Sequence, residues 1–145
     1  MALGLKGLHE RNIIHRDIKI ENIFMSDLSV GSKVRLGDLG SAVQLPSADA
    51  KTKFRIGTPG YIAPEIILGV EYDSKVDVWS LGCLLHALLM AVPPFWDDDR
   101  KTRNRKVCAD ELDLETSPFA ARLTPACKDF LRALLAKDPE QRPTI

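Results

Sequence analysis

The run from Val76 to Val92 constrains this chain more than any other stretch. Val76, Val78, Trp79, Leu81, Leu84, Leu85, Leu88 and Leu89 cover nearly every side of a helix, so it should be buried all round rather than along one stripe. A bilayer could bury such a helix, but the run is shorter than the ~20 apolar residues a span needs. It also contains Asp77 and His86, and Pro93-Pro94 stop it. The remaining solution is a helix at the centre of a folded domain. A chain of 145 residues suits one such domain, and at this size roughly 68–70% of the unfolded surface can be buried without staples.

Charge and cysteine usage narrow the class further. Lys plus Arg (20) equals Asp plus Glu (20), which gives the whole chain no pull toward nucleic acid or an anionic membrane. Cys83, Cys108 and Cys127 are odd in number and widely spaced, which argues against a disulfide framework and for a reducing compartment. Met1 is followed by a short mixed segment rather than a basic leader and a long apolar stretch, and no Asn-x-Ser/Thr acceptor occurs. The expected setting is intracellular, cytoplasmic or nuclear.

Around the central helix the pattern is mainly helical with a few short strands. Ala2–Glu10 reads as the tail of a helix with Leu3, Leu5 and Leu8 apolar, and His9 falls near its end as a surface residue. Ile23-Phe24-Met25 and Val34-Arg35-Leu36 read as two strands joined by a loop containing Ser29 and Gly31. Gly40 to Thr58 has no periodicity, and long loops in compact domains are usually functional or disordered. A second helix is expected over Thr124–Ala136, capped by Thr124 with Pro125 first, and with Phe130, Leu131, Leu134 and Leu135 inward. Asp97 to Lys106 reads as a solvated helix face, with a docking patch as the minority reading. Cys83-x-x-His86 has a metal-like spacing, but it lies on the buried helix without a second ligand pair, so packing is the better account.

Chemistry concentrates elsewhere. His15-Arg16-Asp17-Ile18-Lys19-Ile20-Glu21-Asn22 sets a carboxylate, an amine and an amide close together in a segment without regular period. Gly37-Asp38-Leu39-Gly40 adds a carboxylate between glycines directly after a strand. Each taken alone is an ordinary turn. Together Asp17, Asn22 and Asp38 offer hard oxygen donors of the kind Mg²⁺ takes alongside phosphate oxygens. Lys19 offers the positive charge a transferring phosphoryl group needs. No Gly-x-x-x-x-Gly-Lys-Ser/Thr loop occurs, so a P-loop NTPase is unsupported.

These residues resemble the protein kinase signature. His15-Arg16-Asp17-Ile18-Lys19-x-x-Asn22 is similar to the catalytic loop and Asp38-Leu39-Gly40 to the metal-binding triplet. Ala63-Pro64-Glu65 resembles the close of the activation segment, Asp77-Val78-Trp79-Ser80-Leu81-Gly82 the start of the large buried helix, and Arg142 the late arginine. Each motif is weak alone; their shared order is not. The resemblance covers the whole chain and implies a single unit, 1–145, with the helical C-lobe of the two-lobed kinase fold.

The resemblance implies a Ser/Thr kinase, a transferase using ATP and Mg²⁺ on a protein substrate. Asp17 would accept or orient the substrate hydroxyl proton, Lys19 would neutralise the γ-phosphate, and Asn22 and Asp38 would hold the metal. Lys19 and Gly57-Thr58-Pro59 look like the Ser/Thr branch, with Thr58 near Asp17 and Lys19. Glu21 and Phe24 would complete the nucleotide site, Phe24 beneath the adenine. His15 and Leu39 would stack in an internal spine, Glu65 and Arg142 would pair, and Asp77 would anchor the catalytic-loop backbone. Gly-Thr-Pro-Gly-Tyr-Ile-Ala-Pro-Glu and Pro93-Pro94-Phe95 resemble the calmodulin-dependent group.

The sequence also departs from the family pattern. A Gly-rich loop, strand lysine and helix glutamate are not found, so the N-lobe is expected to be absent and the upper face to need it or a partner as cover. Leu39 stands where Phe is usual, and the Asp27–Ser32 loop looks long. Phe54 occupies a place where many relatives carry a phosphoacceptor, leaving Thr52 and Ser47 as candidates with Arg16 as the basic pocket. The alternative to a working kinase segment is an inactive lone C-lobe serving as a protein-binding or regulatory module.

Overall fold

The computed structural model describes residues 2–27 and 29–145; Met1, and Leu28 of the Asp27–Ser32 loop, lie outside them. In chain order the elements are α1 (Ala2–His9), β1 (Ile13–Ile14), β2 (Ile23–Met25), β3 (Val34–Leu36) and β4 (Val43–Gln44), then α2 (Pro64–Leu68), α3 (Lys75–Met90), α4 (Arg100–Ala109) and α5 (Pro125–Leu134). The strands form two antiparallel pairs: β1 with β4, and β2 with β3 in the register Ile23↔Leu36. This is the mainly α fold with short β-strands that the sequence implies. No helix among the described residues is long and apolar enough to cross a membrane.

α3 is the axis of the core. Every residue from Val76 to Leu84 is buried, Asp77 and Ser80 included. The burial all round predicted from the sequence stops short of the last turn, where Leu88 is 63% and Leu89 39% exposed. The helix ends at Ala91, whose φ of 62° is left-handed, and the chain then turns away from those side chains. Gly82 lets α5 lie close to α3: a Cβ there would stand 2.9 Å from both Leu134 Cβ and Leu135 Cγ. α5 starts as expected, with Thr124 accepting from the Cys127 N–H at 3.2 Å and Pro125 at the first position. Its inward face is Leu131, Leu134 and the following Leu135, whereas Phe130 is 53% exposed. One residue is a 100° step around a helix, which carries Phe130 off the stripe that Leu131 defines.

α1 differs in detail from its sequence reading. Leu5 is fully buried but Leu3 is exposed, because only one side of this helix meets the core. Phe24, Met25, Val34 and Leu39 are exposed apolar residues on and just after the β2–β3 hairpin.

Lys137 makes the core sensitive to alkaline pH. Its Nζ sits 3.5 Å from the Phe95 ring centroid and donates to the Val107 carbonyl at 2.6 Å. Burial pushes its pKa from 10.5 down to about 8. In the unfolded chain the lysine keeps its ordinary affinity, so between those two values the unfolded state binds more protons and stability rises with pH. The Cys83 thiol, pushed up from 9.0 by burial, acts in the opposite sense above that pH. Urea unfolding at closely spaced pH values should therefore show stability rising from pH ~8 to ~9 in the wild type relative to Lys137→Met. Parallel pH profiles for the two proteins would contradict this role of Lys137.

Candidate active site

The segment from His15 to Asn22 is irregular because its backbone is held from below rather than by a ladder. Asp77, fully buried in the first turn of α3, accepts from the His15 N–H and the Arg16 N–H, each at 2.8 Å. Arg16 adopts a left-handed φ of 67°, a conformation that non-glycine residues hold only when surroundings over-determine it. The Asp77 anchor supplies that constraint, and the Arg16 Nε–H donates to the Ser41 carbonyl at 2.7 Å. His9 also contacts Asp77, Nε2 to Oδ2 at 2.9 Å. The expected surface placement of His9 is thus corrected: its side chain is 10% exposed and packs beneath the loop. The partner lies 68 residues away, a separation that leaves no local pattern to read.

Above this support Asp17 gathers its neighbours. The Thr58 hydroxyl donates to Oδ1 at 2.6 Å, Lys19 Nζ stands 2.8 Å from Oδ2, and Asn22 Nδ2 donates to the Asp17 carbonyl at 2.8 Å. Lys19 Nζ also donates to Thr58 Oγ1 at 3.0 Å. Burial pushes the Asp17 carboxyl up, but the hydrogen bonds from Lys19 and Thr58, with the Lys19 charge, outweigh it and hold it below the ordinary 3.8. The same hydrogen bond raises the Lys19 pKa. The site therefore presents a fixed carboxylate beside a fixed ammonium at neutral pH.

The β2–β3 hairpin delivers the second carboxylate. The Gly37 N–H donates to the Asn22 carbonyl at 2.9 Å, so the residue after β3 is tied to the residue before β2. His15 Nε2 and the Gly37 carbonyl are 3.0 Å apart, which joins the same turn to the His15–Asn22 segment. Asp38 follows with a left-handed φ of 60° and an exposed side chain, its Oδ1 accepting from the Gly40 N–H at 3.1 Å. Asn22 and Asp38 supply hard oxygen donors, the type Mg²⁺ prefers while keeping waters and phosphate oxygens in its shell. Among the described residues no cluster of three or more His, Cys, Asp or Glu could hold a metal, so any ion here would depend on phosphate oxygens for much of its coordination.

The remaining expected residues fall around this centre. Phe24 is 56% exposed, with its ring against Gly37, where a Cβ would come within 2.6 Å. Glu21 is exposed on the 3₁₀ turn Ile20–Asn22. His15 is fully buried, whereas Leu39 is 56% exposed, so the pair divides between the interior and the open face. Cys83 and His86 are buried core residues; the His86 ring contacts the Val92 carbonyl at 2.8 Å.

The segment from Gly40 to Thr58 is better ordered than its sequence suggests. Val43 pairs with Ile14, Thr52 and Tyr72 exchange backbone hydrogen bonds at 2.9 Å, and the Tyr72 hydroxyl donates to the Phe54 carbonyl at 2.6 Å. Further on, the Tyr61 N–H donates to the Thr58 carbonyl at 3.0 Å and the Ser80 hydroxyl to the Tyr61 carbonyl at 2.8 Å. These bonds carry Thr58 to Asp17. Glu65 and Arg142 then lock α2 in place through two hydrogen bonds of 2.6 and 2.9 Å.

A family profile described as "Protein kinase domain" matches residues 1–145. The chain is 40% identical to rhodopsin kinase GRK1 of Homo sapiens over 139 residues, 96% of this chain and 24% of that protein. It is 35% identical to calcium/calmodulin-dependent protein kinase type II of Caenorhabditis elegans over 136 residues, 94% of this chain and 19% of that one. To serine/threonine-protein kinase ULK3 of Xenopus laevis the identity is 38% over 143 residues, 98% of this chain and 30% of that relative. The chain thus spans between 19% and 30% of the length of these curated relatives. A calmodulin-dependent kinase stands among them, beside kinases of other names at comparable identity.

Proposed function

This chain belongs to the protein kinase family, and from that premise we propose that it carries the phosphotransfer centre of an ATP-dependent serine/threonine kinase. The observation that carries the reading is the joint hold of Lys19 and Thr58 on Asp17 at 2.6–3.0 Å. A carboxylate below its ordinary pKa is a weak base. Asp17 therefore orients the substrate hydroxyl and takes its proton late, as charge leaves that oxygen. Lys19 lies where it can offset charge on the transferring phosphoryl group. Thr58 fixes both side chains and borders the place a peptide hydroxyl must occupy.

Asn22 and Asp38 are the residues that would hold Mg²⁺, which when bound offsets the negative charge of the ATP phosphates. Phe24 offers an exposed apolar face beside them for the adenine ring, and Glu21 lies at the rim. The sequence has no Gly-rich phosphate loop, and among the described residues no strand lysine pairs with a helix glutamate. These 145 residues by themselves are therefore expected to bind metal and nucleotide weakly and to transfer little.

The metal assignment is testable without turnover. Mn²⁺ titrated in the presence of ATP should broaden the NMR signals of Asn22 and Asp38 before those of any other residue pair. Asn22→Ala with Asp38→Ala should abolish that selectivity in a protein that still melts cooperatively. First broadening at Asp97–Asp99 or Asp110–Asp113 instead would refute the assignment.

A further inference from the structure

The phosphotransfer centre leaves a charged groove beside it unexplained. A cavity of about 170 Å³ lies between the chain at Arg55–Ile62 and helix α4. Ile62, Ile67 and Val107 line it together with Arg55, Arg100 and Arg103, and no Asp or Glu does. Lys plus Arg and Asp plus Glu are equal at 20 each in the whole chain, so three cations around one small cavity are a local excess that repels itself.

Two of the three acids that precede α4 are engaged, while Asp98 is exposed. Asp97 pairs with Lys106 at 2.9 Å, and Asp99 caps α4 by accepting from the Thr102 N–H at 2.7 Å. Among the described residues neither Arg55, Arg100 nor Arg103 has a carboxylate within ion-pairing distance. Arg103 is buried and held in place: Nη1 donates to the Asp97 carbonyl at 2.5 Å, and its guanidinium carbon lies 4.9 Å from the Trp96 ring centroid. That single hydrogen bond leaves most of the five N–H donors of a guanidinium for a ligand. Lys51 and Lys53, both exposed, alternate with Arg55 along a run whose Thr52 bridges Tyr72. In extended backbone, alternate residues share a side, so the basic strip continues away from the groove.

Position ties this groove to the centre. Gly57 lines it, and the next residue, Thr58, holds Asp17 at 2.6 Å. Arg55 is three residues before Thr58, and a chain spans at most ~3.3–3.6 Å per residue, so their Cα atoms lie within about 11 Å. We propose that the groove reads Asp or Glu side chains within about three residues of the accepting Ser or Thr, making the site selective for acidic peptides. Guanidinium forks match carboxylates in bidentate geometry, and the apolar lining lets the stem of such a side chain pack. The placement beside the phosphoacceptor rests on the kinase reading; the binding chemistry does not.

The test is fluorescence anisotropy of labelled Ser-containing peptides on the full chain, which requires no transfer. A peptide with Asp and Glu flanks should bind about tenfold more tightly than its Asn and Gln counterpart, with the gap shrinking in roughly 0.5 M salt. Arg55 and Arg100 are both exposed, so Arg55→Glu with Arg100→Glu should keep the melting transition and reverse the preference. Arg100→Gln, a milder change, should reduce the preference about threefold. Equal binding of the two peptides, or a preference that survives charge reversal in folded protein, overturns the proposal. So does a phosphoserine-flanked peptide that binds far more tightly than the Asp/Glu one, which would make the groove a phosphate reader. Selective binding of acidic peptides by the chain, with no transfer by the native gene product, contradicts the kinase reading and supports the groove. Transfer to serine peptides regardless of flanking charge sinks the groove and leaves the kinase reading intact.

Discussion

Asp17→Asn in the native gene product is expected to lower kcat for phosphoryl transfer by roughly 10²–10⁴-fold, the range a positioned proton acceptor contributes. The substitution keeps the shape of a side chain that Thr58 and Asn22 hold by hydrogen bonds of 2.6 and 3.3 Å. What it removes is the charge facing Lys19 at 2.8 Å and the capacity to take a proton. Both partners of that pair are partly exposed, at 21% and 12%, so stability should change by only about 1 kcal/mol or less. Because Asp17 is ionised well below neutrality, the wild-type rate should show no acidic limb from this residue near pH 7. A folded Asp17→Asn protein with unchanged kcat would remove Asp17 from the chemistry.

Arg142→Met is expected to destabilise the fold by ~3–5 kcal/mol, the cost of leaving one partner of a buried pair alone. Arg142 uses all five guanidinium donors: two on Glu65, and one each on the carbonyls of Ala136, Lys75 and Lys137. Its side chain is fully buried and that of Glu65 is 6% exposed, so neither solvent nor another group can replace the bond. At about 2–4 °C per kcal/mol for a domain of this order of size, calorimetry should show a drop of roughly 10 °C. Glu65→Gln, which keeps an acceptor and loses the charge, should cost less. Equal, small losses for Arg142→Met and Glu65→Gln would show that the pair contributes little.

These two predictions bracket what was legible in the sequence. α3, the β2–β3 hairpin and the Thr124 cap are legible in the residues themselves, because each rests on a periodic pattern or a cap residue, whereas the Glu65–Arg142 pair is implied by the family resemblance. Asp77 as anchor and Thr58 beside Asp17 were implied by the resemblance alone, and the geometry reproduces both. α2 was not read, since Pro64–Leu68 is too short to show a period. The segment 40–58 shows no periodicity because its order comes from partners elsewhere, Ile14 and Tyr72, which no local pattern announces. Hydrophobicity alone predicts Phe130, Leu88 and Leu89 as buried, yet they are 53%, 63% and 39% exposed. Apolar residues are often exposed, and only packing decides which are. Arg103 is the reverse case: a charge on an apparently solvated helix that Trp96 and the Asp97 carbonyl bury.

The central claim is that Asp17, Lys19, Asn22 and Asp38 form a serine/threonine phosphotransfer centre. It is tested most directly by incubating the native gene product and its Asp17→Asn variant with Mg²⁺ and γ-labelled ATP on Ser, Thr and Tyr peptides, followed by phosphoamino-acid analysis. Label is expected on phosphoserine and phosphothreonine from the wild type, with almost none from the variant. Label at equal levels from both proteins, label confined to phosphotyrosine, or none from either would contradict it.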